Sequence, residues 1–503
     1  MKGHSVIGHS VTRDHWGGLR WISVGALLAA WALRLPLLFG TPLHPDEALY
    51  GCGGLLIGRG RDPWLLSVPV YKPPLLPYVT AASQLLFGET IAALRLPGLM
   101  AGLLTAPLAG ALAHRLYGGR WTGAAATVSV ALSPFAVVLS STAFPDSLMV
   151  VLGLAACLAA VSNRPRWAGV LAGVSFAAKQ TGLVWFPLCA LLRVLDLRAR
   201  PVRRRFPYAL VGHWTAITGI VFAWDAARVL RGATSFWQVG AAGYGGLRLI
   251  WPQELWPRLR QWSTLIGYLF GSPLINALLV VGILVLVSVG LLRSRRTRLA
   301  LADILLVSFL LIYAALHWLI AFPIWDRYML PLAPILAVVL ARMGFLVASR
   351  VPFLASGWRG ALISLLLVAL LTVPALQARA GRYPIGQERA AYQGIDDVIA
   401  FLTQLPEGSV VYHHWLGWHY RYGLLDAPVY LAYWSDPAWL ARDIEVFGAQ
   451  EPRYIAFPAG ESSARVEHHL STVGYALDAV MTAGGAAKSP SFTLYHLVPL
   501  SDV

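Results

Sequence analysis

The sequence predicts an all-α polytopic membrane protein that carries a small α/β domain at its C-terminal end. Three observations predict it. Of the 503 residues, 57% are hydrophobic and only 13% are charged, with a mean hydropathy of +0.61, whereas a soluble domain typically carries about a quarter charged residues. Apolar runs recur at 21–39, 123–139, 275–292 and 299–321, and a helix that crosses a bilayer needs roughly 20 such residues. Past residue 379 the pattern changes. Strand-like runs at 410–413, 429–433, 453–457 and 492–497 alternate with helix-like runs at 387–405, 437–447 and 462–470, which argues a small α/β unit. The chain therefore divides into a membrane part, residues 1–378, with a first long loop at 40–90, and a soluble part, residues 379–503.

The charge pattern gives an orientation. Net charge is +16, but the cations sit in short loops between apolar runs: Arg198, Arg200, Arg203, Arg204 and Arg205 in one, Arg293, Arg295, Arg296 and Arg298 in another. That is the pattern of cytoplasmic loops, not of a nucleic-acid surface. Placing these loops inside puts the N-terminus in the cytoplasm. The first helix, near 21–39, has no small-residue cleavage site after it and reads as uncleaved. Later helices are expected near 91–116, 123–139 and on to 361–378. Lys179 and Gly182 interrupt the stretch 168–195, which reads as two short helices turning near Lys179. The count comes to about eleven spans, with the C-terminal domain outside. Cys52, Cys157 and Cys189 form no CxxC pair, so neither a disulfide framework nor a zinc site is indicated.

Two loops on the non-cytoplasmic side are long. Residues 40–90 are rich in Pro and Gly, and their segment 74–87 is apolar but too short to span, so it is expected along the interface. Residues 231–262 carry four arginines and several Trp, which suits an amphipathic segment at headgroup level. Ionisable residues near membrane depth cost roughly 2.5–3.5 kcal/mol each, so each needs a reason. They cluster on this side. Asp46 and Glu47 follow the first helix, with Tyr50 a turn later; Tyr71 and Lys72 sit in the same loop; Asp146 and Arg95 each open a helix; Arg327 and Tyr328 open another. Only four of the 40 basic residues are lysines, and two of those, Lys72 and Lys179, stand at special places. A compact ammonium suits a phosphate oxygen.

HPDEALY (44–50), YKPPLLPY (71–78) and FGETIAALRLPGLMAGLL (87–104) resemble the first-loop region of the GT-C glycosyltransferases, in particular the protein O-mannosyltransferases and the bacterial aminoarabinose transferases acting on lipid A. SSTAFPDSLMV (140–150), AAKQTGLVWFPL (177–188) and DRYMLPLAPILAVVLA (326–341) resemble further segments of the group in the same order. The likeness extends over about 21–348; the C-terminal domain matches in placement only. It implies a GT-C membrane fold and transfer of a monosaccharide from a polyprenyl-phosphate donor to an acceptor on the outer face, with inversion.

The residues can be assigned accordingly. An attacking hydroxyl must lose a proton to a positioned carboxylate, and Asp46, which looks like the acid of the group's first-loop motif, is the expected base, with Glu47 and Asp146 completing the catalytic set. The leaving lipid phosphate gains charge, which cations stabilise. Lys72, Lys179 and Arg327 are expected there, with Tyr328, Tyr50, Tyr71 and Arg95 completing the donor-phosphate and lipid set. No cofactor is required by the motifs, although the oxygens of Asp46 and Asp146 would suit a divalent Mg²⁺ or Mn²⁺. His413, His414 and His419 lack acidic partners at ligand spacing and read as packing or surface groups. Expected partners are the polyprenyl-phosphate sugar, an acceptor among protein, lipid or envelope glycan, and membrane lipids, with no nucleic acid. The arginine-rich style is read as bacterial, and the location as the cytoplasmic membrane. Two rivals stand beside this reading: a transporter or flippase of the lipid-linked sugar, which predicts mid-bilayer charges and internal repeats, and a non-catalytic lipid-binding relative.

Overall fold

Large apolar side chains point outward along the long helices. Leu28, Ile220, Val280, Leu284, Ile312 and Leu365 are all exposed, a surface that hydrocarbon solvates and water does not. The computed structural model describes residues 16–196, 207–243, 248–292, 298–348, 356–448, 450–484 and 491–502. The basic stretches at 198–205 and 293–296 lie outside them, as do Lys2 and Lys488.

The helical part begins with α1 (Trp16–Gly40), α2 (Pro45–Gly58), α3 (Leu75–Phe87) and α4 (Ile91–Tyr117). It continues with α5 (Arg120–Ala131), α6 (Pro134–Ser140), α7 (Pro145–Val161), α8 (Pro165–Ala178), α9 (Trp185–Asp196) and α10 (Tyr208–Val229). The amphipathic α11 (Phe236–Gly243) and α12 (Leu255–Gly267) occupy the second long loop, and α13 (Pro273–Leu292), α14 (Arg298–Leu319), α15 (Leu332–Ala348) and α16 (Ser356–Arg379) complete the bundle.

Among the described residues, four helices are long and apolar enough to cross a membrane: Trp21–Gly40, Ile91–Tyr117, Arg298–Leu319 and Gly360–Arg379; the bent pair α5–α6 makes a fifth if it is one span. This is fewer than the sequence predicts, because Pro145–Val161, Gln180–Leu195, Pro273–Ser288 and Leu332–Val347 are apolar but shorter. Short and broken helices are tolerated at membrane depth only where their freed backbone groups find partners inside the protein. The α5–α6 bend of 58° shows how. Arg34, fully buried in α1, donates to the Ala131 carbonyl at 2.9 Å and to Ser140 Oγ at 2.8 Å. The expected break at Lys179 is present as well: its backbone is extended (φ −158°, ψ 142°) between α8 and the 3₁₀ turn Gln180–Val184.

Past α16 come α17 (Ile395–Leu402), α18 (Gly417–Gly423), α19 (Pro437–Phe447) and α20 (Ala464–Thr472), around one five-stranded sheet. Its strands are β1 (Val410–His413), β2 (Tyr430–Tyr433), β3 (Arg453–Pro458), β4 (Tyr475–Ala483) and β5 (Phe492–Pro499), in the order β2-β1-β3-β5-β4. The first three pair in parallel and the last two add antiparallel. This unit sits directly on the first loop. α18 packs on α2, His419 Nε2 meets the Leu43 carbonyl at 2.9 Å, and Arg61 donates to Asp426 at 2.7 Å.

The bundle tolerates little volume where α4 crosses the α6–α7 link. A Cβ added at Gly98 would lie 2.1 Å from the Thr142 carbonyl oxygen, a backbone atom that cannot rotate away. Gly98→Ala is therefore expected to destabilise the protein by about 1–3 kcal/mol, the usual cost of overpacking. Gly212→Ala on α10, where nothing lies within 4 Å, is the control that should leave thermal unfolding in detergent unchanged or slightly raised.

Candidate active site

The site starts from the local sequence His44-Pro45-Asp46-Glu47. Proline suits the first turn of a helix because it lacks the amide that would be orphaned there, and His44 caps α2, its Nδ1 accepting from the Asp46 amide at 3.0 Å. Glu47 Oε2 returns to accept from the His44 amide at 3.1 Å, completing a capping box. Successive helical side chains diverge by about 100°, so the two adjacent acids face different surroundings. That divergence decides their roles.

Glu47 turns inward. Arg95 on α4 grips it with two parallel bonds, Nε to Oε1 at 2.9 Å and Nη2 to Oε2 at 2.8 Å, and both side chains have 0% exposure. The Ala143 amide donates to Oε1 at 2.8 Å. Arg95 also donates to the carbonyls of Leu38, Thr41 and Pro42. One ion pair thus ties the end of α1, the start of α2, α4 and the link before α7. Burial alone would raise the Glu47 carboxyl, but Arg95, Arg389 and the Ala143 amide bring it down to about 2. Sequence reasoning set Glu47 in the catalytic group and Arg95 in the donor group; the structure closes both inside the protein, each saturated by the other.

Asp46 faces the other way and keeps 27% exposure. Arg327 Nη2 donates to its Oδ2 at 2.9 Å, and the Tyr71 hydroxyl donates to its Oδ1 at 3.0 Å. Tyr50 lies 2.9 Å from Tyr71, hydroxyl to hydroxyl, with the rings stacked. Beside them, at the start of α7, Asp146 accepts from Lys179 Nζ at 2.5 Å; both are buried. The break at Lys179 is what brings that ammonium across to α7. Its Nζ also stands 4.2 Å from the Tyr328 ring. Lys72 is buried with Nζ 4.6 Å from the Tyr71 ring, in the field of Asp146, Asp46 and Arg327, and burial pulls it down to about 8. Five elements, α2, the loop at 71–72, α7, the break at Lys179 and the turn Asp326–Met329, therefore bring Asp46, Tyr50, Tyr71, Lys72, Asp146, Lys179, Arg327 and Tyr328 together.

Several neighbours carried no sequence signal. Phe144 is buried between His44, at a centroid distance of 5.2 Å, and the guanidinium of Arg327 at 4.5 Å. Arg389 approaches the same ring at 5.6 Å; nothing in the run 386–392 marks it among the other arginines. His317 stacks on Tyr313 and stands edge-on to Tyr328. The 3₁₀ turn Asp326–Met329 separates two cavities. One, of about 200 Å³, is lined by Lys179, Gln180, Trp237, His317, Phe322 and Tyr328. The other, of about 770 Å³, is lined by Trp256, Arg260, Trp325, Asp326, Gln387 and Glu388.

Among the described residues no three His, Cys, Asp or Glu side chains gather as a metal cage. Asp46 and Asp146, the two acids that would suit a divalent ion, each face a cation already, so the residues present do not form the oxygen-rich set such an ion takes. His419 is engaged with Leu43 rather than with His413 or His414.

Removing one partner of a buried ion pair leaves an uncompensated charge at a cost of about 3–5 kcal/mol, so Glu47→Gln should lower the unfolding temperature sharply. Asp46→Asn, which removes a carboxylate that is 27% exposed, should lower it less. The pH dependence follows from the same pair. The folded carboxyl titrates near 2, below its unfolded value of about 4.3, so its stabilisation is fully present above the unfolded value and is lost as pH falls toward 2. Unfolding followed from pH 6 to pH 2 should show this acid-sensitive component in the wild type and lack it in Glu47→Gln.

Known proteins bear on this architecture. The profile of the Dolichyl-phosphate-mannose-protein mannosyltransferase family matches residues 71–224, a stretch that includes Tyr71, Lys72, Arg95, Asp146 and Lys179. No curated protein sequence matches the chain. Among solved structures, ArnT from Cupriavidus metallidurans bound to undecaprenyl phosphate superposes with a TM-score of 0.62 at 16% identity, covering 95% of this chain and 98% of that one. The same protein in its apo state gives 0.62 at 15% identity, covering 96% and 98%. At such identity the likeness is one of fold, and it extends over nearly the whole length of both chains. The chain is thus a multi-pass membrane protein with the GT-C fold, resembling the protein mannosyltransferase and ArnT group of membrane glycosyltransferases.

Proposed function

We propose that the protein is a glycosyltransferase that moves a monosaccharide from a polyprenyl-phosphate donor to an acceptor on the non-cytoplasmic face of the membrane, with inversion at the anomeric carbon. The observation that carries this reading is a partly exposed carboxylate, Asp46, set among the buried cations Lys72, Lys179 and Arg327. A carboxylate open on one side can take a proton, and ammonium and guanidinium groups in a dry site can take up the charge of a departing phosphate.

In this reading Asp46 accepts the acceptor's hydroxyl proton as that oxygen attacks the anomeric carbon. The bond from this carbon to the donor's phosphate oxygen breaks, and the lipid phosphate departs with the electron pair. Arg327 and Tyr71 hold the Asp46 carboxylate in place through its Oδ2 and Oδ1 and aim its open side. Lys72 and Lys179 meet the phosphate, and Asp146 positions Lys179 through their 2.5 Å contact. Glu47 and Arg95 act by holding the α2 turn in place. The smaller, apolar cavity beside Lys179 and Tyr328 suits the donor's first isoprenes, while the larger one, with Trp256, Trp325, Arg260 and Glu388 on its walls, suits a polar acceptor. Against a flippase stands the gathering of Asp46, Lys72, Asp146, Lys179 and Arg327 in one neighbourhood. The structure of ArnT bound to undecaprenyl phosphate, in the same fold, supports a lipid phosphate as ligand class.

Orientation belongs to the same proposal. If the spans number about eleven, as the sequence predicts, with the arginine-rich loops inside, a reporter fused after Arg379 should be active only on the non-cytoplasmic side. Activity inside would reverse the assignment.

Asp46→Asn keeps size and removes proton affinity. It should still bind donor while transfer falls by about 10²–10⁴, the usual contribution of a general base. Lys72→Ala should instead bind donor poorly, since a charge-assisted contact is lost. Because burial brings Lys72 to about 8, wild-type donor affinity should weaken as pH rises through that value and the ammonium loses its proton. These are read with purified protein and a defined polyprenyl-phosphate sugar. A fully active Asp46→Asn enzyme would contradict the assignment.

A further inference from the structure

Arg389 has no place in the scheme above, yet it is one of the most completely buried cations in the molecule, at 4% exposure. It lies on the 3₁₀ turn Gln387–Tyr392, past the last span. Its Nε and Nη2 are buried without a hydrogen-bond partner among the described residues, and the same holds for Nη1 of Arg327. Three guanidinium nitrogens in one neighbourhood thus lack an acceptor, in a protein where buried polar groups are normally satisfied.

The two arginines are held together by the backbone. Asp326 Oδ1 accepts from the Arg327 amide at 2.5 Å, and its Oδ2 accepts from the Gly386 amide at 2.8 Å. Gly386, in the left-handed region at φ +65°, starts the Arg389 turn. One carboxylate therefore locks the two turns to each other, and both guanidinium groups come to rest on the Phe144 ring, at 4.5 and 5.6 Å from its centroid. The acids that face Arg389 are engaged elsewhere. Glu47 is saturated by Arg95 and two amides, and Asp326 by two amides. Glu388 is next to Arg389 in the chain, lines the larger cavity, and shows no hydrogen bond to it among the described residues. Burying two like charges over one ring is costly unless an anion joins them.

We propose that Arg389, together with Arg327, binds a phosphoryl oxyanion beside Asp46, so that the segment following the last span supplies a cation to the site. The guanidinium fork matches two oxygens of a phosphate, as an ammonium does not. The inference rests on the glycosyl-transfer reading for the nature of the anion, which is either the donor's lipid phosphate or a phosphate carried by the acceptor.

Binding to the purified full-length chain in detergent tests it without turnover. Two probes are used, undecaprenyl phosphate and glycerol 1-phosphate, against wild type, Arg389→Gln and Arg389→Lys, with unfolding temperature measured in parallel. Arg389→Gln is expected to lose about tenfold or more in affinity for at least one probe, at an unchanged unfolding temperature, and Arg389→Lys to lose several-fold. Loss that includes the polyprenyl probe assigns the donor phosphate; loss confined to glycerol 1-phosphate assigns an acceptor phosphate. Folded variants that bind both probes as the wild type does overturn the inference alone, and if only Arg389→Lys folds, its wild-type affinity suffices for that. A wild-type chain that binds neither probe overturns the inference and the donor reading beneath it.

Discussion

The Glu47–Arg95 ion pair is the constraint on which the rest of the site depends. It is wholly buried, bidentate and saturated, and its bonds reach α1, α2, α4 and the link into α7. A buried pair of this kind gives up much of its Coulombic gain to desolvation, so it adds little net stability over an apolar replacement. What it does supply is a single geometry. With Glu47 pinned, the α2 turn has one orientation, and the adjacent Asp46 is presented to Tyr71 and Arg327. The capping box at His44 serves the same end from the other side.

A second constraint comes from the solvent. A membrane helix satisfies its own backbone, so a polar site must be made where helices stop or break. The site residues lie at such places. Lys179 sits at the break between α8 and the following 3₁₀ turn, Asp146 in the first turn of α7, Arg327 and Tyr328 on a 3₁₀ turn before α15, and Asp46 in the first turn of α2. Arg34 shows the matching cost, a whole guanidinium committed inside the bundle partly to one carbonyl freed at the α5–α6 bend. Structure and proposed chemistry thus share a cause, since the interruptions that bring ionisable groups into the membrane protein also gather them.

Much of this was legible in the sequence, for reasons that differ by region. Four strands and the break at Lys179 were readable because β-branched runs and a lysine between apolar stretches are strong local signals. β4 was not, since Tyr475–Ala483 is a bulged and largely exposed edge strand with little alternation, and α18 is a seven-residue helix bounded by glycines. Length and apolarity alone do not establish the count of about eleven spans, because α7, α13 and α15 are apolar but shorter than a full crossing. In the site, Asp46, Lys72, Asp146, Lys179 and Arg327 were legible as charges at apolar boundaries. The opposite fates of Asp46 and Glu47 were not, because side-chain direction at consecutive helical positions depends on which partners the fold supplies. Arg389 and Phe144 were invisible for the same reason: their significance lies in contacts across long stretches of chain.

The central claim is that a lipid phosphate lies among Lys72, Lys179 and Arg327, with Asp46 beside it. The most direct measurement is photolabelling of the purified wild-type chain with a polyprenyl phosphate carrying a diazirine on its first isoprene, followed by peptide mapping. The account predicts labels concentrated in the wall formed by Gln180–Val184 and the turn Asp326–Met329, and competed away by unlabelled undecaprenyl phosphate. Labels spread without competition over the lipid-facing surfaces of α10, α13 and α16 would contradict it.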